Sequence, residues 1–146
     1  MQKLIANEIL LAEVGRLLSE GKDVVLMTKG FSMNPFIRGG RDSVLLRRMS
    51  PESIAAGDIV LAEVVKDRYV LHRVVRVDGG RLTLMGDGNI VGQEHCGKEN
   101  VLGTVLSIVR PSGRQVKPGK ARLWRSFGPF VRRVLLALYR RTLLKI

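Results

Sequence analysis

A single cysteine, Cys96, rules out an internal disulfide in this 146-residue chain. Metal ligands are equally scarce. Structural zinc sites draw four Cys or His ligands from spaced pairs, and His72, His95 and Cys96 do not make such a set. His95 and Cys96 are neighbours, and neighbours in extended chain point opposite ways, so they do not read as a base and its nucleophile. No metal and no cofactor is expected. Aromatic residues are only 5% of the chain, which leaves the body few stacking platforms for nucleic-acid bases, and no nucleic-acid partner is expected. No run reaches the ~18–20 apolar residues that span a bilayer. The opening Met1-Gln2-Lys3-Leu4-Ile5 is cut short as an apolar run by Glu8 and Glu13, so no signal peptide is expected. The expected location is cytoplasmic or peripheral to a membrane.

The last absence concerns one sign of charge. Residues 110–146 carry 11 Lys and Arg and no acid, whereas residues 1–109 carry 14 against 13. Nearly all of the net charge of +12 therefore belongs to a C-terminal appendage. A general nucleic-acid binder spreads basic residues over its body, so the tail points to a local anionic partner. With 45% apolar and 26% charged residues, the rest has the composition of a folded domain with one core.

Taken in order, residues 2–20 have helical periodicity, with Leu4, Ile5, Ile9, Leu11, Ala12 and Leu18 on an apolar side and Gly21 as a stop. Residues 23–31 read as a strand that ends in the bend Gly30-Phe31-Ser32-Met33-Asn34-Pro35. Further strands are expected at 43–48, 59–65, 69–77, 81–85 and 101–109, with hairpin tips at Asp67-Arg68 and Asp78-Gly79-Gly80. Residues 90–99 read as a polar loop and 111–120 as a linker. Many short strands at ~8–12-residue spacing predict a mainly β fold. The expected form is a coiled antiparallel sheet or partly open barrel, with an N-terminal helix and a basic helical tail. The chain thus divides into a body at 1–110 and a tail at 111–146. The tail reads as helical pieces at 121–127 and 129–145, with Leu123, Phe127, Phe130, Val134 and Leu138 in one apolar stripe. That stripe either packs on the body or, with Trp124, Tyr139 and the arginines, lies on an anionic membrane surface through residues 120–146.

Ser32 presents a hydroxyl at a bend, and serine needs a base to act as a nucleophile. His72 lies inside the apolar strand Val70–Val75, sharing a face with Val70 and Val74, and a buried imidazole needs a partner. A hairpin symmetric about Gly79-Gly80 sets His72 opposite Asp87, within one residue if the strand bulges.

Gly30–Pro35, Gly57-Asp58-Ile59-Val60, His72-Arg73-Val74-Val75, Gly86-Asp87-Gly88-Asn89 and Gly103-Thr104-Val105 stand in the order of the type I signal peptidase superfamily, which the chain resembles over residues 24–109. With histidine at the base position, it resembles the archaeal and endoplasmic-reticulum members rather than the lysine-dependent bacterial enzymes and LexA-type repressors. The resemblance implies a serine endopeptidase with Ser32 as nucleophile, His72 as general base and Asp87 as the motif aspartate. It implies a leader or signal-like peptide as substrate, with small residues next to the cut. An extended substrate is expected to add as a strand beside Val24–Gly30 and Tyr69–Leu71, with Gly30, Phe31, Met33, Tyr69 and Leu71 binding it. The family's second acid, five or six residues past the aspartate, is replaced by Gly92 and Gln93, with Glu94 nearest. Gly30 stands where bacterial members often carry an oxyanion serine, so the backbone N–H of Ser32 is left for that task. The family's members are anchored in the membrane, usually by an N-terminal span, and no such span is expected here.

Three other classes compete. A self-cleaving repressor needs an upstream cut site, and the 31 residues before Ser32 contain no Ala-Gly or Cys-Gly pair. An RNA binder acting through the tail fits the neutral, aromatic-poor body badly. A non-catalytic peptide-binding or maturation accessory protein with the same fold is the main alternative.

Overall fold

The computed structural model describes residues 8–89 and 92–142. Helix α1 (Glu8–Ser19) buries Leu11, Val14 and Leu18, the positions that recur on one helical side. It ends as its glycine predicts: Gly21 takes a positive φ, its N–H bonds to the Leu18 carbonyl, and the Lys22 N–H bonds to that of Leu17. Residues 2–7 of the expected helix lie outside the described residues.

Eight strands follow: β1 (Val24–Met27), β2 (Ser43–Arg47), β3 (Ile59–Val65), β4 (Arg68–Asp78), β5 (Arg81–Met85), β6 (Glu94–Gly97), β7 (Val101–Val109) and β8 (Gln115–Val116). They form one antiparallel sheet that does not close, in the order β1-β2-β7-β3-β4-β5-β6, with β8 added to β7. The continuous apolar run Ile59-Val60-Leu61-Ala62 is explained by burial on both faces of β3. Ile59 and Leu61 join the core under α1, β1 and β2, while Val60 and Ala62 join a second core with Val74, Leu82, Leu84 and Cys96.

Two local expectations are corrected. Residues 94–97 are a strand rather than loop, because Glu94–Gly97 pair with Leu84–Arg81 and bury Cys96 while His95 stays exposed. Part of the expected linker turns back: the Arg110 N–H bonds to the Arg114 carbonyl, and β8 pairs with Ile108 and Val109.

The tail continues as α2 (Arg122–Ser126) and α3 (Pro129–Thr142). It is strapped to the body. Lys120 pairs with Asp58, and the buried Trp124 indole donates to the Asp87 carbonyl at 2.9 Å. Trp124 also meets Phe36 and Phe127 edge to face. The apolar stripe is not what holds the tail in place: Leu123, Phe130, Val134 and Leu138 are exposed, and Leu136 is the buried residue of α3. Among the described residues, no helix is long and apolar enough to cross a membrane.

Candidate functional site

The bend that carries Ser32 leaves β1 and returns to β2 through a buried brace. Thr28 gives its N–H and its hydroxyl to the Asp42 carbonyl, at 3.0 and 2.6 Å. The Asp42 carboxylate, fully buried, accepts from the Arg38 N–H, from Arg41 and from Arg110. Burial pushes this carboxyl up, but the hydrogen bonds and positive charges outweigh it and hold it below the usual carboxylate range. Gly39 is required by close approach, since a Cβ there would stand 2.0 Å from the Gly30 carbonyl oxygen.

From the other side, the Gly86–Asn89 bend is pressed against the serine. The Gly88 N–H donates to the Ser32 carbonyl at 2.8 Å. A Cβ on Gly86 would lie 2.3 Å from that carbonyl oxygen, and one on Gly88 would lie 2.4 Å from that of Phe31. Ser32 is therefore gripped by its carbonyl. No backbone carbonyl among the described residues takes its N–H, and Ser32 is one of the residues that line a cavity of about 380 Å³.

That cavity lies between the end of β1 and the first half of β4. Leu26, Met27, Gly30 and Ser32 line one side and Tyr69, Leu71 and His72 the other, over Leu11 and Leu61. Both walls are strand edges. β1 is an outer strand of the sheet, and β5 pairs with β4 only from Arg73 onward, so Val70–His72 have β3 alone among the described strands. Of the residues expected to bind substrate, Gly30, Met33, Tyr69 and Leu71 line this space. Phe31 does not; its side chain is exposed to solvent. Met33 is mostly core, and its sulfur receives the Asp87 N–H at 3.5 Å.

His72 is buried, and burial holds its pKa below the ordinary histidine value, against the opposing charge and hydrogen bond of Glu94. Its Nδ1 lies 2.8 Å from Glu94 Oε1. An ionised carboxylate only accepts, so the proton of the neutral imidazole sits on Nδ1 and Nε2 is left with a free lone pair. Arg68 steadies the other Glu94 oxygen at 3.2 Å. Ser32 and His72 border the same cavity without a hydrogen bond between them.

The expectation that Asp87 orients His72 is corrected by a bulge. β4 and β5 follow the symmetric register from Asp78↔Arg81 to Arg76↔Thr83, then skip Val75 and continue as Val74↔Leu84 and Arg73↔Met85. Asp87, two residues past Met85, consequently shares the face of Arg73. Its carboxylate accepts from Arg73 Nε at 2.9 Å and Nη2 at 2.7 Å. Arg73 is wholly buried and also donates to the Gly57 and Gly119 carbonyls, with its guanidinium over the Phe36 ring. Burial raises the Asp87 carboxyl pKa against the pull of Arg73, and Asp87 acts on His72 only as a smaller, more distant charge.

Two residues of the site are given no role by the sequence, although Glu94 is noted there as the nearest acid. Glu94 sits in a segment read as loop; the alternation Glu94-His95-Cys96 was the available signal. Arg73 follows His72 in the strand, and an arginine inside an apolar strand, with Asp87 at the end of the partner strand, is a signal for a buried pair. Among the described residues, no cluster of His, Cys, Asp and Glu could hold a metal ion. Comparison of the sequence with known protein families and with curated proteins gives no match.

Proposed function

We propose that the chain is a serine endopeptidase that cleaves an extended peptide laid between β1 and β4. The observation that carries this reading is the 2.8 Å hydrogen bond from His72 Nδ1 to Glu94, because it prepares Nε2 of an imidazole that borders the same cavity as Ser32. The substrate adds as a strand to the β1 exit and the Val70–His72 edge, its backbone bonded to theirs and alternate side chains entering the apolar cavity. Ser32 Oγ attacks the peptide carbonyl while His72 Nε2 takes its proton. The carbonyl oxygen becomes an oxyanion beside the Ser32 N–H. His72 then returns the proton to the leaving amine, and water repeats the cycle on the acyl-serine. In this reading Glu94 is the orienting acid, and Asp87 is a positioning residue that acts through Arg73 and the bend beneath Ser32.

The alternative with a specific observation behind it is a peptide-binding accessory protein, favoured by the lack of a Ser32–His72 hydrogen bond. Incubation with a mixture of unstructured peptides, followed by mass spectrometry of products and of peptides retained on the protein, separates the two. Cleavage at a restricted set of sites supports the peptidase. Retention of intact peptides, with no products across neutral and mildly alkaline pH, supports the accessory protein.

A further inference from the structure

Helix α3 is seated on the body by one side and turns an apolar side outward. Leu136 is buried, and Arg132 and Tyr139 are half-buried. The opposite side carries Phe130, Val134 and Leu138 at four-residue steps, joined by Val131 and Leu135. All five are exposed, Phe130 at 76% and Leu138 at 51%. A continuous apolar strip of this kind on an isolated protein marks a contact surface. Exposed Arg133 and Arg140, seven residues apart on the helix, run along one border of the strip, and Arg141 stands at its end.

We infer that α3 docks in the surface of an anionic lipid bilayer, lying flat with its strip among the upper acyl chains and its arginines among the headgroup phosphates. Charge selects this occupant. Residues 110–146 hold 11 basic residues and no acid, so a second copy would bring one all-basic helix against another. Single-stranded RNA would meet the charge but offers nothing to aliphatic Val131, Val134, Leu135 and Leu138, since base stacking needs aromatic faces. A lipid interface answers both halves of the helix. Trp124 belongs to the strap rather than to this surface, because it is buried on Asp87.

Vesicle flotation of the full chain tests this without reference to peptide cleavage, and Ser32→Ala should float as wild type does. Wild type should float with phosphatidylcholine vesicles containing phosphatidylglycerol, stay behind with phosphatidylcholine alone, and be released by high salt. The double variant Val134→Asp, Leu138→Asp changes only exposed positions; it should keep the wild-type melting temperature and lose flotation. Arg133→Gln with Arg140→Gln should weaken binding to the anionic vesicles about thirtyfold at low salt. Equal flotation with both lipids, or wild-type flotation of the double Asp variant, would overturn the inference. So would a lipid-free dimer, or binding to single-stranded RNA, that the double Asp variant abolishes while wild type fails to float.

Discussion

Glu94 and His72 meet across two strand pairings. Glu94 lies opposite Leu84 and Leu84 opposite Val74, so all three project from the face that His72 also uses, and the Glu94 carboxylate closes on Nδ1 at 2.8 Å. Glu94→Gln should keep the fold and lower kcat by about 10²–10⁴-fold, since an amide can hold the wrong tautomer. The sign of the pH effect follows from the same contact. In the proposed mechanism neutral His72 is the working form, so activity should fall as pH drops through its pKa. Glu94 raises that pKa, so its loss should move the acidic limb of kcat/KM to lower pH. An unmoved limb would contradict the pairing.

Asp87 should behave differently, because its partner is Arg73 and both are buried. Asp87→Ala leaves a guanidinium uncompensated in the interior and should cost about 3–5 kcal/mol of stability. Denaturant titration would show a midpoint loss that Glu94→Gln does not share. Comparable stability of the two variants would mean that Asp87 is not the structural acid of the pair.

The contact between bends can be tested at Gly88. An added methyl would stand 2.4 Å from the Phe31 carbonyl oxygen, and backbone cannot yield as a side-chain tip can. Gly88→Ala should destabilise the protein by about 1–3 kcal/mol. It should also cut kcat by about 10²-fold by displacing Ser32. Gly79→Ala, at an open hairpin tip with nothing near its Cβ, supplies a control for backbone strain without a clash.

Stability should carry the signature of a buried neutral imidazole. The folded pKa of His72 lies below its ordinary value of 6.5, so the unfolded chain binds the proton first as pH falls. Its contribution is complete above 6.5 and is lost as pH drops from there through the folded pKa. Subtracting the unfolding free energy of His72→Gln from that of wild type, over this range, should give a difference that shrinks toward acid. A difference that grows toward acid would reverse the assignment.

Much of the architecture was legible because alternation and turn chemistry act locally. The Asp78–Gly80 hairpin, the Gly21 stop and the apolar strand around His72 all follow from residues within a few positions of one another. Three parts of the site were not legible. The bulge at Val75 moves every pairing beyond it by one residue, which exchanges Asp87 from the His72 face to the Arg73 face. β6 is short and polar, so Glu94 became visible only through its pairing with β5. The direction of the α3 strip depends on where Trp124 fastens the tail, and that contact spans 37 residues.

Ser32 is the proposed nucleophile of a peptide-cleaving site. The most direct measurement is kcat/KM of wild type and Ser32→Ala on one peptide that wild type cuts, with melting temperatures recorded alongside. Ser32 is held by its backbone, and its hydroxyl has no partner among the described residues, so removing the oxygen should leave the melting temperature unchanged. Cleavage should fall by about 10³-fold or more. A stable Ser32→Ala protein that cuts the same bond at the wild-type rate would contradict the account.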